Sequence, residues 1–227
     1  FMHYAVFGLA WLRETNFVTQ PGVELYKSIA NALYEDARKA GGIEKTPAWK
    51  QFFSSPQSAK WRGRVTLHYS DPGVPPAMTA PEIYARLLSA HAAARTVEYG
   101  ELTFFGDMRY SPAGRALRIK MNRAAETVFR GKLKMPADVY EGPAMNHSYH
   151  EMIIGHGRCF STILLSETLE TLDEPGSAAD YHRAQYLATI QALRQRGRAI
   201  VGLTLKDLGE ESFDALGEFF RQVAKAL

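Results

Sequence analysis

The stretch CFSTILLSETLETLDEPGSAADYHRAQYLATIQALRQRGRAIVGLTL, residues 159–205, decides how the chain folds. Two short runs within it, TILL at 162–165 and AIVGLTL at 199–205, are almost uniformly apolar, and AADYHRAQYLATIQALRQRG between them has the length and spacing of a helix. A strand with one face in water alternates apolar and polar residues, whereas a strand covered on both faces has no polar side. The segment therefore predicts two parallel strands joined by a helical crossover, with further helices over both faces of the sheet.

The same alternation extends in both directions. Upstream lie GRVTLHYS (63–70), PEIYARLLSAHAAAR (81–95), GELTFFGD (100–107), PAGRALRIKMNRAAETVFR (112–130) and ADVYEG (137–142), and downstream lies SFDALGEFFRQVAKAL (212–227). Strands separated by helices of ten or more residues predict an α/β fold, a doubly wound parallel sheet of about five strands. Residues 1–63 read as a helical segment packing on that sheet domain, which spans 64–227. VELYKSIANALYEDARKA (23–40) has apolar positions three and four apart and stops at Gly41 and Gly42. The opening FMHYAVFGLAWL lacks a charged leader region and a small-residue cleavage site, and reads as a buried helix.

Composition narrows the functional classes. With 46% hydrophobic and 22% charged residues over 227 positions, the chain can bury a core without disulfides. Its single cysteine, Cys159, lies in an apolar run and reads as a buried, inert thiol, and the absence of pairs favours a reduced, cytoplasmic setting. The net charge of +3 is spread along the chain without a basic block, so nucleic acid is not an expected partner. No run approaches the roughly 18 apolar residues that a membrane span needs, so a soluble protein is expected.

In open α/β sheets ligands bind beyond the carboxyl ends of the strands, which directs attention to two loops. The first, DMRYSPAGRALRIK (107–120), has Ser111 placed as a helix N-cap, Pro112 as the first helical residue and Gly114 as a position of close approach. Free N–H groups and the helix dipole favour an anion there, with Arg109, Arg115 and Lys120 as added donors; the plainer alternative is a helix start with solvated cations. Neither GxxxxGK[ST] nor GxGxxG is present, so no nucleotide cofactor is expected.

The second is GPAMNHSYHEMIIGH (142–156). Helical spacing would put His147, His150 and Glu151 on one face. The segment matches neither HExxH nor HxxEH, so no metal is expected, while one imidazole beside a carboxylate suffices for proton transfer. A histidine that merely satisfies a helix end is the plain alternative. His68, His91 and His182 read as structural or surface residues, and Trp49, Phe52, Phe53 and Trp61 as core or subunit contact.

The block from Gly100 to Leu205 resembles a sugar isomerase (SIS) domain, in the arrangement of the second half of bifunctional phosphoglucose/phosphomannose isomerases. The likeness runs through GDMRYSPAGRALRIKMNRAAE, a strand ending in YEGP, the histidine segment, CFSTILLS, a long helix and RAIVGLTL. AMNHSYHEMI looks like the family's ring-opening histidine loop, so the resemblance implies that His147 or His150 opens the sugar ring, with Glu151 or Glu126 as base. Ser111, Gly114 and Arg115, with Arg109 and Lys120, would then hold the phosphate. It further implies aldose–ketose isomerisation of a phosphorylated sugar, no cofactor, and a homodimer. The chain departs from the family where an acidic residue is expected, having Met121, Asn122 and Arg123, and it lacks the SxSGxT phosphate loop. Those departures leave a non-catalytic sugar-phosphate sensor or structural subunit as the alternative expectation.

Overall fold

A computed structural model describes residues 2–14, 21–142, 153–155, 157–168 and 178–227. At its centre is a six-stranded mixed sheet made of β1 (Ser58–Trp61), β2 (Val65–His68), β3 (Tyr99–Phe105), β4 (Ala137–Gly142), β5 (Cys159–Ser166) and β6 (Ala199–Leu205). The spatial order is β1-β2-β6-β5-β3-β4. β6, β5, β3 and β4 are mutually parallel, while β2 runs antiparallel to β6 and β1 antiparallel to β2.

Every residue of β5 and β6 is buried. Their side chains alternate between two hydrophobic clusters, as the period of two requires. Phe160 and Leu164 join Val201 and Leu203 in one, beneath α4 (Ala80–Ala93), α5 (Pro112–Ala124) and the C-terminal α7 (Glu210–Ala226). Ile163, Leu165 and Ile200 join the other, beneath α2 (Pro21–Ala40), α3 (Pro47–Phe53) and α6 (Ala178–Gln195). The α/β class and the helical layers on each side of β5 and β6 thus follow from the apolar runs.

The sheet has six strands rather than about five. The extra one, Ser58–Trp61, falls inside the segment expected to be helical, and the boundary expected between 63 and 64 lies in the turn of the β1–β2 hairpin. SAKW is too short to show a period, and its pairing with β2 is what makes it a strand. Arg62 and Gly63 take positive φ values of 51° and 64° to turn the hairpin.

α1 (Met2–Leu12) is helical, but it is not the buried helix the sequence suggested. Met2, Tyr4, Trp11 and Leu12 are 78%, 83%, 74% and 81% exposed, and only Ala10 is buried. A helix with an apolar stripe has one face to dock, whereas MHYAVFGLAWL is apolar on every side and selects none. α2 does carry a stripe, burying Val23, Tyr26, Ala30, Leu33 and Ala37, and it ends at Gly41 and Gly42 with positive φ as expected.

α5 continues without a break into a π-helix, Ala125–Lys132, which packs Val128 and Phe129 into the core beside β3 and β4. Phe129 covers Gly100, where an added Cβ would run into its ring. Gly100→Ala is expected to cost roughly 1–3 kcal/mol through overpacking. In a Phe129→Ala background, itself costing roughly 3–5 kcal/mol, the same change should cost almost nothing. Urea unfolding of the four proteins in this cycle measures the coupling; additive costs would mean that the ring does not define the space.

Candidate functional site

Beyond the carboxyl end of β3 the chain turns through Gly106–Tyr110 into α5. Asp107 organises that turn: its Oδ1 accepts from the backbone N–H groups of Arg109 and Tyr110, both at 2.9 Å, and its Oδ2 from Ser111 at 2.6 Å. Burial alone would raise its carboxyl, but the bonds from Tyr110, Ser111 and Arg109 outweigh that and hold it well below the usual carboxylate range. Ser111 is the N-cap the sequence suggested, accepting from the Gly114 N–H at 3.0 Å. Gly114 is a position of close approach, and what approaches is the chain itself: a Cβ there would strike the carbonyl of Asp107. The amides before α5 are therefore occupied by a carboxylate from within the chain.

The cations of this loop are anchored. Arg109 Nε lies 3.2 Å from Glu141 Oε2 near the end of β4, and the same oxygen accepts from the Met108 N–H at 3.0 Å. Arg115 donates to the carbonyls of Arg109, at 3.4 Å, and of Tyr110. No carboxylate among the described residues pairs with Arg115. Arg109, Ser111, Gly114 and Arg115 are thus brought together at the joined ends of β3 and β4.

The other expected residues stand apart. Lys120 reaches across to Asp214 of α7 at 2.9 Å, away from the loop. Glu126 is paired with Arg130 at 3.0 Å on an exposed face, about 20 Å from Ser111 at the helical rise of about 1.5 Å per residue. His147, His150 and Glu151, which follow Gly142 in the sequence, lie outside the described residues. Among the described residues no group of three or more His, Cys, Asp or Glu is placed to hold a metal.

Three features went unread in the sequence. Asp107 and Glu141 are two, though an Asp two residues past a strand and a few before a Ser-Pro helix start is a legible signal. A matching Asp follows β6: Asp207 accepts from the Gly209 N–H at 3.0 Å and the Ser212 hydroxyl at 2.6 Å, and pairs with Arg64 at 2.9 Å. The third is Glu101, fully buried in β3, where Thr103 Oγ1 donates to it. Burial pushes its carboxyl up to about 8, making it a neutral acid near neutrality. Cys159 is buried as expected, and burial pushes its thiol up to about 12, too high to be a nucleophile at neutral pH.

No family model matches the chain, and no curated protein matches it. Among solved structures it is similar to a hypothetical protein from Thermus thermophilus, with 16% identity and a TM-score of 0.49. The match covers 67% of this chain and 40% of that one, so this chain spans well under two thirds of its neighbour's length.

Asp107→Ala is expected to cost about 1 kcal/mol at neutral pH, the usual worth of such a cap. Because the folded carboxyl is depressed, this stability is present above about pH 4 and lost as pH falls through the lower folded value, so the two proteins should converge in acid. Glu101 has the opposite sign. Its folded value lies above the ordinary 4.5, so stability is full below that and declines as pH rises towards about 8. Glu101→Gln should flatten that decline, and thermal unfolding across the pH range measures both effects.

Proposed function

We propose that the chain binds a phosphorylated sugar at the carboxyl edge of β3 and β4, in the manner of an SIS-like, doubly wound domain, as a sensor or structural subunit rather than an isomerase. The observation that carries the reading is Arg115, an anchored guanidinium at a strand edge whose charge no described carboxylate neutralises. Arg109 beside it is oriented through Nε by Glu141, which leaves its remaining N–H groups without a protein acceptor among the described residues. Two guanidinium groups, one held by Glu141 of β4 and the other by carbonyls of the loop, suit an acceptor-rich dianion, because the cost of ordering them has already been met in folding.

The non-catalytic form is favoured by the carboxylates. Isomerisation through an enediol requires a base close to the sugar carbons. Glu126 lies far along the helix in an ion pair, Glu101 is enclosed in the sheet, and Glu141 is committed to Met108 and Arg109. The catalytic reading, with His147 or His150 opening the ring and Glu151 as base, rests on the histidine segment that follows Gly142. A homodimer in the cytoplasm, with no cofactor, belongs to either reading.

Glucose 6-phosphate or fructose 6-phosphate is expected to raise the melting temperature, and inorganic phosphate to do so less. Arg115→Ala should weaken binding by roughly ten- to a hundredfold, the loss expected for one charge-assisted hydrogen bond. A coupled assay should detect no interconversion of the two sugars; turnover would establish the catalytic reading, and no thermal shift with either sugar would remove both.

A further inference from the structure

The parallel strands have a second edge, opposite to the one near Ser111. Because β2 runs antiparallel to β6, with His68 opposite Gly202, the chain that leaves β2 leads towards the amino end of β6. A cleft of about 410 Å³ lies there between α4 and α6, with Asp71, Leu87, His91, Phe160, Arg194 and Val201 in its wall. That volume falls in the range of small-molecule sites.

Two opposite charges line this cleft without meeting. Arg194, in the last turn of α6, donates to the Tyr69 carbonyl at 3.4 Å and holds its guanidinium 5.7 Å from the Phe52 ring centroid. No carboxylate among the described residues pairs with it. Asp71 Oδ1 accepts from the Gly73 N–H at 2.7 Å, and Oδ2 has no partner among the described residues. Tyr69 and Asp71 are two residues apart, at most about 7 Å of chain, so the cation anchored at one and the carboxylate of the other are within reach of a single small molecule. Unlike charges that share a cleft and form no pair are the complement of a ligand that carries both signs.

The rest of the wall narrows the class. Arg198 also reaches the cleft, but it is engaged elsewhere, donating through Nε to the Ile154 carbonyl and through Nη2 to that of Gly155, both at 2.9 Å. His91 Nδ1 lies 2.9 Å from Thr96 Oγ1, and burial lowers its pKa, so the ring adds no charge near neutrality. His91 and Arg194 both stand in the last turn of their helices, α4 and α6, and the partial negative charge of a helix carboxyl end favours a cationic group. Leu87, Phe160 and Val201 make the remaining wall apolar, which suits a hydrocarbon body rather than a polyhydroxylated one.

We infer that this cleft binds a free α-amino acid with a hydrocarbon side chain, its carboxylate on Arg194, its ammonium on Asp71 and its side chain against Leu87, Phe160 and Val201. Calorimetric titration of the full chain with L-leucine tests the assignment, alongside glycine, 4-methylpentanoate and 3-methylbutylamine. Saturable binding of L-leucine is expected. The acid, which lacks the ammonium, and the amine, which lacks the carboxylate, should each bind roughly ten- to a hundredfold more weakly, and so should glycine for want of a side chain. Arg194→Met and Asp71→Asn lie outside both hydrophobic clusters, so each should keep the parent's melting temperature while weakening L-leucine by a similar factor. Arg115→Ala should bind L-leucine unchanged, which separates this cleft from the β3–β4 edge. Absence of saturable L-leucine binding, equal binding of glycine or of either singly charged analogue, or L-leucine affinity unaltered in either cleft variant would each overturn the assignment.

Discussion

β5 and β6 are buried along their whole length, and the helical layers on either side are arranged to keep them so. A strand buried on both faces needs a helical layer on each, and each layer must in turn show an apolar stripe to the sheet. α7 meets the demand on one side with Phe213, Leu216, Phe219, Phe220 and Val223. α6 meets it on the other with Leu187, Ile190 and Leu193. Two of the polar groups that enter this interior are tied where they sit: the Tyr84 hydroxyl lies 2.7 Å from Thr162 Oγ1, and Thr103 donates to Glu101.

This constraint explains which parts of the fold were legible in the sequence. ADVYEG, CFSTILLS and AIVGLTL coincide with β4, β5 and β6, because two-sided or edge burial leaves its mark in each residue. The stop of α2 at Gly41 and Gly42 was legible because positive φ favours glycine. SAKW carried no such mark, since its strand state comes from pairing with β2 and not from its own four side chains. MHYAVFGLAWL misled for the converse reason: apolarity usually implies burial, but it says nothing about whether a partner face exists within the described residues.

The site was legible in smaller measure. Ser111 as N-cap and Gly114 as a point of close approach follow from local chemistry that depends on neighbours in the chain. What occupies the amides before α5 is decided by Asp107, and the setting of Arg109 by Glu141, 32 positions later in the sequence and brought near by the parallel pairing of β3 with β4. Lys120 and Glu126 share a helix with Ser111 and Arg115 yet face other neighbours, because helical periodicity spreads cations and acids over several sides.

The outer strands bear on how copies of this chain can meet. β1 carries the exposed Lys60 at one margin of the sheet. At the other margin Asp138 of β4 is paired with Arg130 and accepts from the Tyr99 hydroxyl, while Glu141 holds Arg109. A second chain continuing the ladder at either margin would have to strip water from Lys60 or crowd a row of existing ion pairs. Growth of the described sheet by strand addition is thereby disfavoured at both margins.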